Sequence, residues 1–87
     1  MDFEWDADKA ARNLRKHGVA FEDAARVFLD SYDGRSDYGE DRWATIGQVY
    51  ATVLYVVYTV RHEDTTHIIS ARKALHHEQT QYREANA

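Results

Sequence analysis

Eight side chains in this sequence can carry positive charge or move a proton and fall in or beside regularly patterned stretches: Lys16, His17, Tyr55, Arg61, His67, Arg72, Lys73 and Tyr82. Cutting RNA without a metal needs no more than such a set. A base takes the ribose 2′-hydroxyl proton, arginine or lysine stabilises charge on the phosphate, and an acid protonates the leaving oxygen. Residue types alone are a nonspecific signal for that chemistry, because any small domain carries several of them.

Other chemistries find less support. The five histidines invite a metal site, but His76 and His77 are neighbours on a predicted helix, about 100° apart around its axis, and cannot easily share one ion. There is no HExxH spacing and no cysteine, so the reading includes neither a metal nor a cofactor. No serine sits in a GxSxG turn. Gly18, Gly34, Gly39 and Gly47 lie too far apart to form a phosphate-cradling loop.

The elements that must position these residues follow from local patterning. DFEW at 2–5 alternates polar and apolar and predicts a short edge strand. Asp6 is a good N-cap for a helix that carries Ala7, Ala10, Ala11, Leu14 and His17 at helical spacing and stops at Gly18. A second helix is predicted over 21–29, with Phe21, Ala24, Ala25, Val27 and Phe28 facing in. Residues 30–41 are acidic, contain two glycines and read as a loop. The period then becomes two. Strands are predicted at 42–47, 53–61 and 66–73, linked by the short turns QVYA and HEDT. A last helix is predicted over 75–84, with Leu75, His76 or Gln79, and Tyr82 near its buried side. The order is β-α-α-β-β-β-α, an α+β domain with a small antiparallel sheet, two N-terminal helices and one C-terminal helix.

At 87 residues and 10.1 kDa the chain is expected to form one domain, residues 1–87, burying about 64% of its open-chain surface around one modest core. It is 44% apolar and 30% charged, which predicts a globular chain. The longest apolar run, VLYVVYTV, is far short of the ~20 residues of a membrane span, and the acidic N-terminus is unlike a secretory signal. The expectation is a soluble cytoplasmic protein with no membrane partner. Residues 1–43 hold 11 acidic and 7 basic residues, while the rest is balanced and holds four of the five histidines. A net charge of −4 argues against bulk binding to nucleic acid, so any polyanion site must be local, and the acidic first half suits a basic partner.

The segments FEWD (3–6), Asn13 with KHGVAFEDA (16–24), RWATIG (42–47), VVYTVR (56–61) and IISARKA (68–74), followed by Glu78 and Tyr82, resemble the BrnT family of ribonuclease toxins. The resemblance spans roughly residues 3–82, with the segments in the family's order. It implies a RelE-like fold, RNA cleavage that arrests growth, and neutralisation by a cognate BrnA-like antitoxin. That antitoxin carries the DNA-binding domain, so DNA is met only indirectly, through the complex. The chain departs from the family pattern in His67, in the short QVYA turn and in HHEQTQ, where relatives are more basic.

Alternation sharpens the expected site. With an even-numbered turn at 62–65, Tyr55, Thr59 and Arg61 share a face with Ser70 and Arg72, while Leu54, Val56, Tyr58, Val60 and Ile69 face the helices. Arg72 then pairs near Tyr55, about 20 Å from Arg61 at ~3.4 Å per residue. The expected catalytic set is Arg72 with Tyr82, joined by His17 and by Arg61 as a positioning contact. Lys16, Lys73, His67 and Tyr55 are expected to hold RNA. Each has a plainer reading: Arg72 as a partner of Glu78, Tyr82 as helix packing, His17 and Lys16 as helix-end residues, Arg61 and Lys73 as solvated strand-end cations, and His67 as a structural histidine on the core side. Trp5 and Trp43 suit a core or a partner interface better than base stacking. Two alternatives to the ribonuclease stand beside it: a toxin-fold module that only binds its antitoxin and supports DNA repression, and a metal-dependent hydrolase built on the histidines.

Overall fold

A computed structural model describes residues 2–29, 36–39, 41–62 and 64–86. The elements are β1 (Asp2–Glu4), α1 (Ala7–His17), α2 (Phe21–Arg26) continued by a 3-10 turn (Val27–Leu29), β2 (Ser36–Gly39), β3 (Arg42–Val49), β4 (Thr52–Arg61), β5 (Thr65–Lys73) and α3 (His76–Ala85). The strands form one sheet in the order β1-β5-β4-β3-β2. The α+β class and the three helices match the sequence reading. Among the described residues no helix is long and apolar enough to cross a membrane.

Local signals set the first helix. Asp6 Oδ1 accepts from the backbone N–H of Asp8 at 2.9 Å and of Lys9 at 3.0 Å. Gly18 takes φ +71° at the other end, the left-handed region that glycine enters without strain. The face the helix buries differs from expectation. Leu14 is half exposed, whereas Asn13 is buried. The reason is the edge of β5. β1 covers only residues 65–67 of that strand, so the N–H and C=O of Ala71 point outward unpaired by any strand. The Asn13 amide takes both: Nδ2 donates to Ala71 O at 2.8 Å and Oδ1 accepts from Ala71 N–H at 3.1 Å. Nδ2 also donates to Val19 O at 2.9 Å. One side chain thus replaces a length of missing strand.

Two corrections concern the sheet. First, it is mixed. β1 runs parallel to β5, while the remaining pairs are antiparallel. Residues 36–39, expected in a loop, add a fourth antiparallel strand beside β3; 30–35 and 40 lie outside the described residues. Second, a bulge interrupts the β4–β5 ladder. Val57 pairs with Ser70 but Tyr58 pairs with Ile68, leaving Ile69 as the extra residue. Arg61 pairs with Thr65, not with Thr66 as the expected even-numbered turn requires, and the bulge offsets this so that Arg72 pairs with Tyr55. Beyond the bulge the faces of β5 exchange. Ile68 is the fully buried core residue in place of Ile69, and His67 pairs with Thr59 on the face away from the helices.

The main core lies between the sheet and α1/α2. Phe21, Ala24 and Val27 pack on Leu54, Val56, Ile68 and Ala71, with Phe3, Trp5 and Phe28 at its margin. Val60, expected here, is half exposed near the end of β4. On the other face, α3 covers one corner, where Tyr82 packs with Ile46, Val53, Ala74 and Tyr55. Along the rest of that face come buried Ala44 and Val57, half-buried Ser70, and then Thr59, Arg61 and His67.

Candidate functional site

At the covered corner, β5 and α3 fix Arg72. Its Nη1 donates to Glu78 Oε1 at 2.7 Å and its Nη2 to Glu78 Oε2 at 2.9 Å, a bidentate fork. The guanidinium lies over the Tyr55 ring, 4.2 Å from the centroid. Glu78 Oε1 also accepts from the Leu75 N–H at 2.7 Å, which ties the same carboxylate to the start of α3. The hydrogen bonds from Arg72, aided by the Leu75 N–H, hold the Glu78 carboxyl below the usual carboxylate range despite its burial. The pair is therefore ionised at neutral pH. About a third of the Arg72 side chain reaches solvent, against a tenth of Glu78.

The opposite end of the same face is different. Arg42, Thr59, His67 and Glu4 form a row across β3, β4, β5 and β1. With Lys9, Asp41, Arg61 and Ile69 they border a polar cleft of about 290 Å³, Glu4 lying behind His67. Thr59 Oγ1 donates to Asp41 O at 2.6 Å and so holds the turn that carries Arg42. His67 is buried, and its Nδ1 has no hydrogen-bond partner; Glu4 Oε1 is 3.8 Å away.

The expected site residues fall into three groups. Arg72, Tyr55 and Tyr82 meet beneath α3, although Tyr82 is largely enclosed by apolar neighbours. Arg61 and His67 meet at the far cleft, six and four residues along β4 from Tyr55 by register, roughly 20 and 14 Å away. Lys16, His17 and Lys73 belong to neither. Lys16 and His17 end α1 on the helix side of the sheet. Lys73 pairs opposite Leu54, a core residue, so it faces the helices beside Gly18 and Asp23 rather than sharing the face of Arg72. Lys9 and Arg42 were missed by the sequence reading. Arg42 stands at the start of a strand that alternation puts on the Thr59 face, which is the one signal for it; Lys9 had none.

Residues 5–78 match the model of a family described as the ribonuclease toxin BrnT of type II toxin–antitoxin systems. That span takes in Arg72, Glu78 and most of the cleft but stops short of Tyr82. No curated protein matches the sequence significantly. Among solved structures, the chain is similar to the 1.1 Å crystal structure of the Brucella abortus ribonuclease toxin BrnT, with a TM-score of 0.74 and 27% identity, covering 86% of this chain and 97% of that one.

Proposed function

We propose that this chain, which belongs to the BrnT family of type II toxin–antitoxin ribonuclease toxins, cleaves RNA at the Arg72 corner by metal-independent acid–base chemistry. The observation that carries the reading is the fixed guanidinium. Arg72 is clamped by Glu78, stacked on Tyr55 and still partly open to solvent, so a cation is set in place before any phosphate arrives. Such preorganised charge is the usual source of transition-state stabilisation for a phosphate. Attack of the 2′-oxygen on phosphorus forms a 2′,3′-cyclic phosphate and breaks the bond to the 5′-oxygen, which leaves as an alcohol after taking a proton from water. The Glu78 carboxylate, both of whose oxygens accept hydrogen bonds from Arg72 or the Leu75 N–H, holds the guanidinium in place and leaves the 2′-hydroxyl proton to solvent water. The enclosed Tyr82 anchors α3, which holds Glu78 in place. Membership of the family implies an antitoxin partner; we assign that role to a BrnA-like protein, with DNA contacted only through it.

Cleavage of a labelled RNA in EDTA tests the reading. Arg72→Ala is expected to lower kcat by about 10²-fold or more. Arg72→Lys, which keeps the charge but not the fork, recovers only part of it. Equal cleavage by all three would place the chemistry elsewhere. The second reading is a non-catalytic partner-binding module, and the bidentate use of Arg72 by Glu78 favours it, because the pair also serves to fasten α3. It predicts no cleavage by any form and no growth arrest when the chain is expressed without an antitoxin.

A further inference from the structure

We propose that the cleft between Lys9, Arg42, Arg61 and His67 is a second phosphate-binding subsite, which grips the backbone of the RNA several nucleotides away from the bond cut at Arg72. This rests on the RNA-cleaving reading above and extends it to substrate length.

Three observations support it. The first is charge. Lys9, Arg42 and Arg61 converge on one cleft in a chain whose net charge is −4; among the described residues the carboxylates near them are Asp41 on its wall, Glu4 beside His67 and Asp6, which acts on Lys9. Among the described residues, Lys9, Arg42 and Arg61 form no ion pair. Cations gathered against the overall charge and not closed into salt bridges among the described residues suit an anionic ligand.

The second is His67. Its ring is nine-tenths buried and lines the cleft, and its Nδ1 is unpartnered. A buried polar atom left in this way calls for an explanation. The 3.8 Å to Glu4 Oε1 is too long for a hydrogen bond. A histidine ring that lines the cleft offers an N–H that can donate to a phosphate oxygen.

The third is alignment. The cleft and the Arg72 corner occupy one face of the same strands, four to six residues apart along β4, or roughly 14–20 Å. At the ~3.4 Å per nucleotide of a stacked duplex strand the gap takes four to six nucleotides, and fewer when the strand is extended. A trinucleotide, with only two internucleotide phosphates, reaches one site and not the other.

The test compares wild type with Arg42→Gln/Arg61→Gln on two substrates, a trinucleotide and an RNA of about 12 nucleotides. The ratio of kcat/KM on the long RNA to that on the short one should fall about tenfold in the variant. Binding of a 2′-O-methyl, uncleavable form of the long RNA, followed by fluorescence anisotropy, should weaken. Its salt slope should shrink by about 1.4, at ~0.7 per lost phosphate contact on a single strand. An unchanged ratio and an unchanged slope would overturn the subsite. If no form cleaves RNA, the anisotropy still decides: weaker binding in the variant keeps the subsite while the catalytic reading falls. If RNA binding is unaffected but the antitoxin binds less tightly, the cleft is a protein-docking site and the proposal fails.

Discussion

Two buried polar side chains lie along the outer edge of β5 and are served in opposite ways. Asn13 spends its amide on three backbone groups, at Val19 and at both polar atoms of Ala71. His67, two strand positions beyond the bulge, keeps Nδ1 unpaired beside a carboxylate just out of reach. One region has its buried polar atoms paired within the fold and the other does not. A satisfied buried polar group belongs to the fold, whereas an unsatisfied one carries a cost that binding can relieve.

Stability measurements can break this contrast. Asn13→Ala has the largest expected effect, a loss of about 2–4 kcal/mol in urea unfolding, because it strands the Ala71 N–H and C=O at a buried edge. A loss below about 1 kcal/mol would mean that water replaces the amide easily. Glu78→Gln comes next, at about 1–2 kcal/mol at pH 7, since the fork and the Leu75 contact both weaken. It also has a pH signature. The Glu78 carboxyl is depressed in the folded state, so its contribution is full above the unfolded value near 4.5 and fades as pH falls through the folded one. Thermal melts from pH 6 to pH 3 should therefore drop more steeply in wild type than in the variant. His67→Phe has the smallest expected effect on stability, within about 0.5 kcal/mol, because it removes an unpaired polar atom and keeps the ring's volume. A loss of 2 kcal/mol or more would make His67 structural and bring it level with Asn13.

The sequence was most readable where the physics is local. Asp6 and Gly18 bound α1 through bonds and dihedrals within a few residues, and Val-, Tyr- and Thr-rich alternation marks β3, β4 and β5. Arg72 faces Tyr55 as expected only because two departures cancel: Arg61 pairs with Thr65 rather than Thr66, and the extra residue at Ile69 restores the register. Long-range facts left no such trace. Nothing in DFE says that it pairs in parallel with a strand sixty residues on. SDYG has too few apolar residues to read as a strand. Asn13 looked like a solvent-facing polar residue, since helix faces are read from apolar spacing and its partner is the backbone of a distant strand. The cleft draws on α1, β3, β4 and β5, so its members share no motif. Arg61 and His67 were singled out for their chemistry, but that they meet was not foreseen.

The extra residue at Ile69 puts the two halves of β5 out of phase. His67 and Arg72 are five positions apart, an odd interval, and an unbroken strand would send them to opposite sides of the sheet. The slip of one residue brings both onto the same face of the sheet, so the subsite proposed at His67 shares a surface with the Arg72 corner.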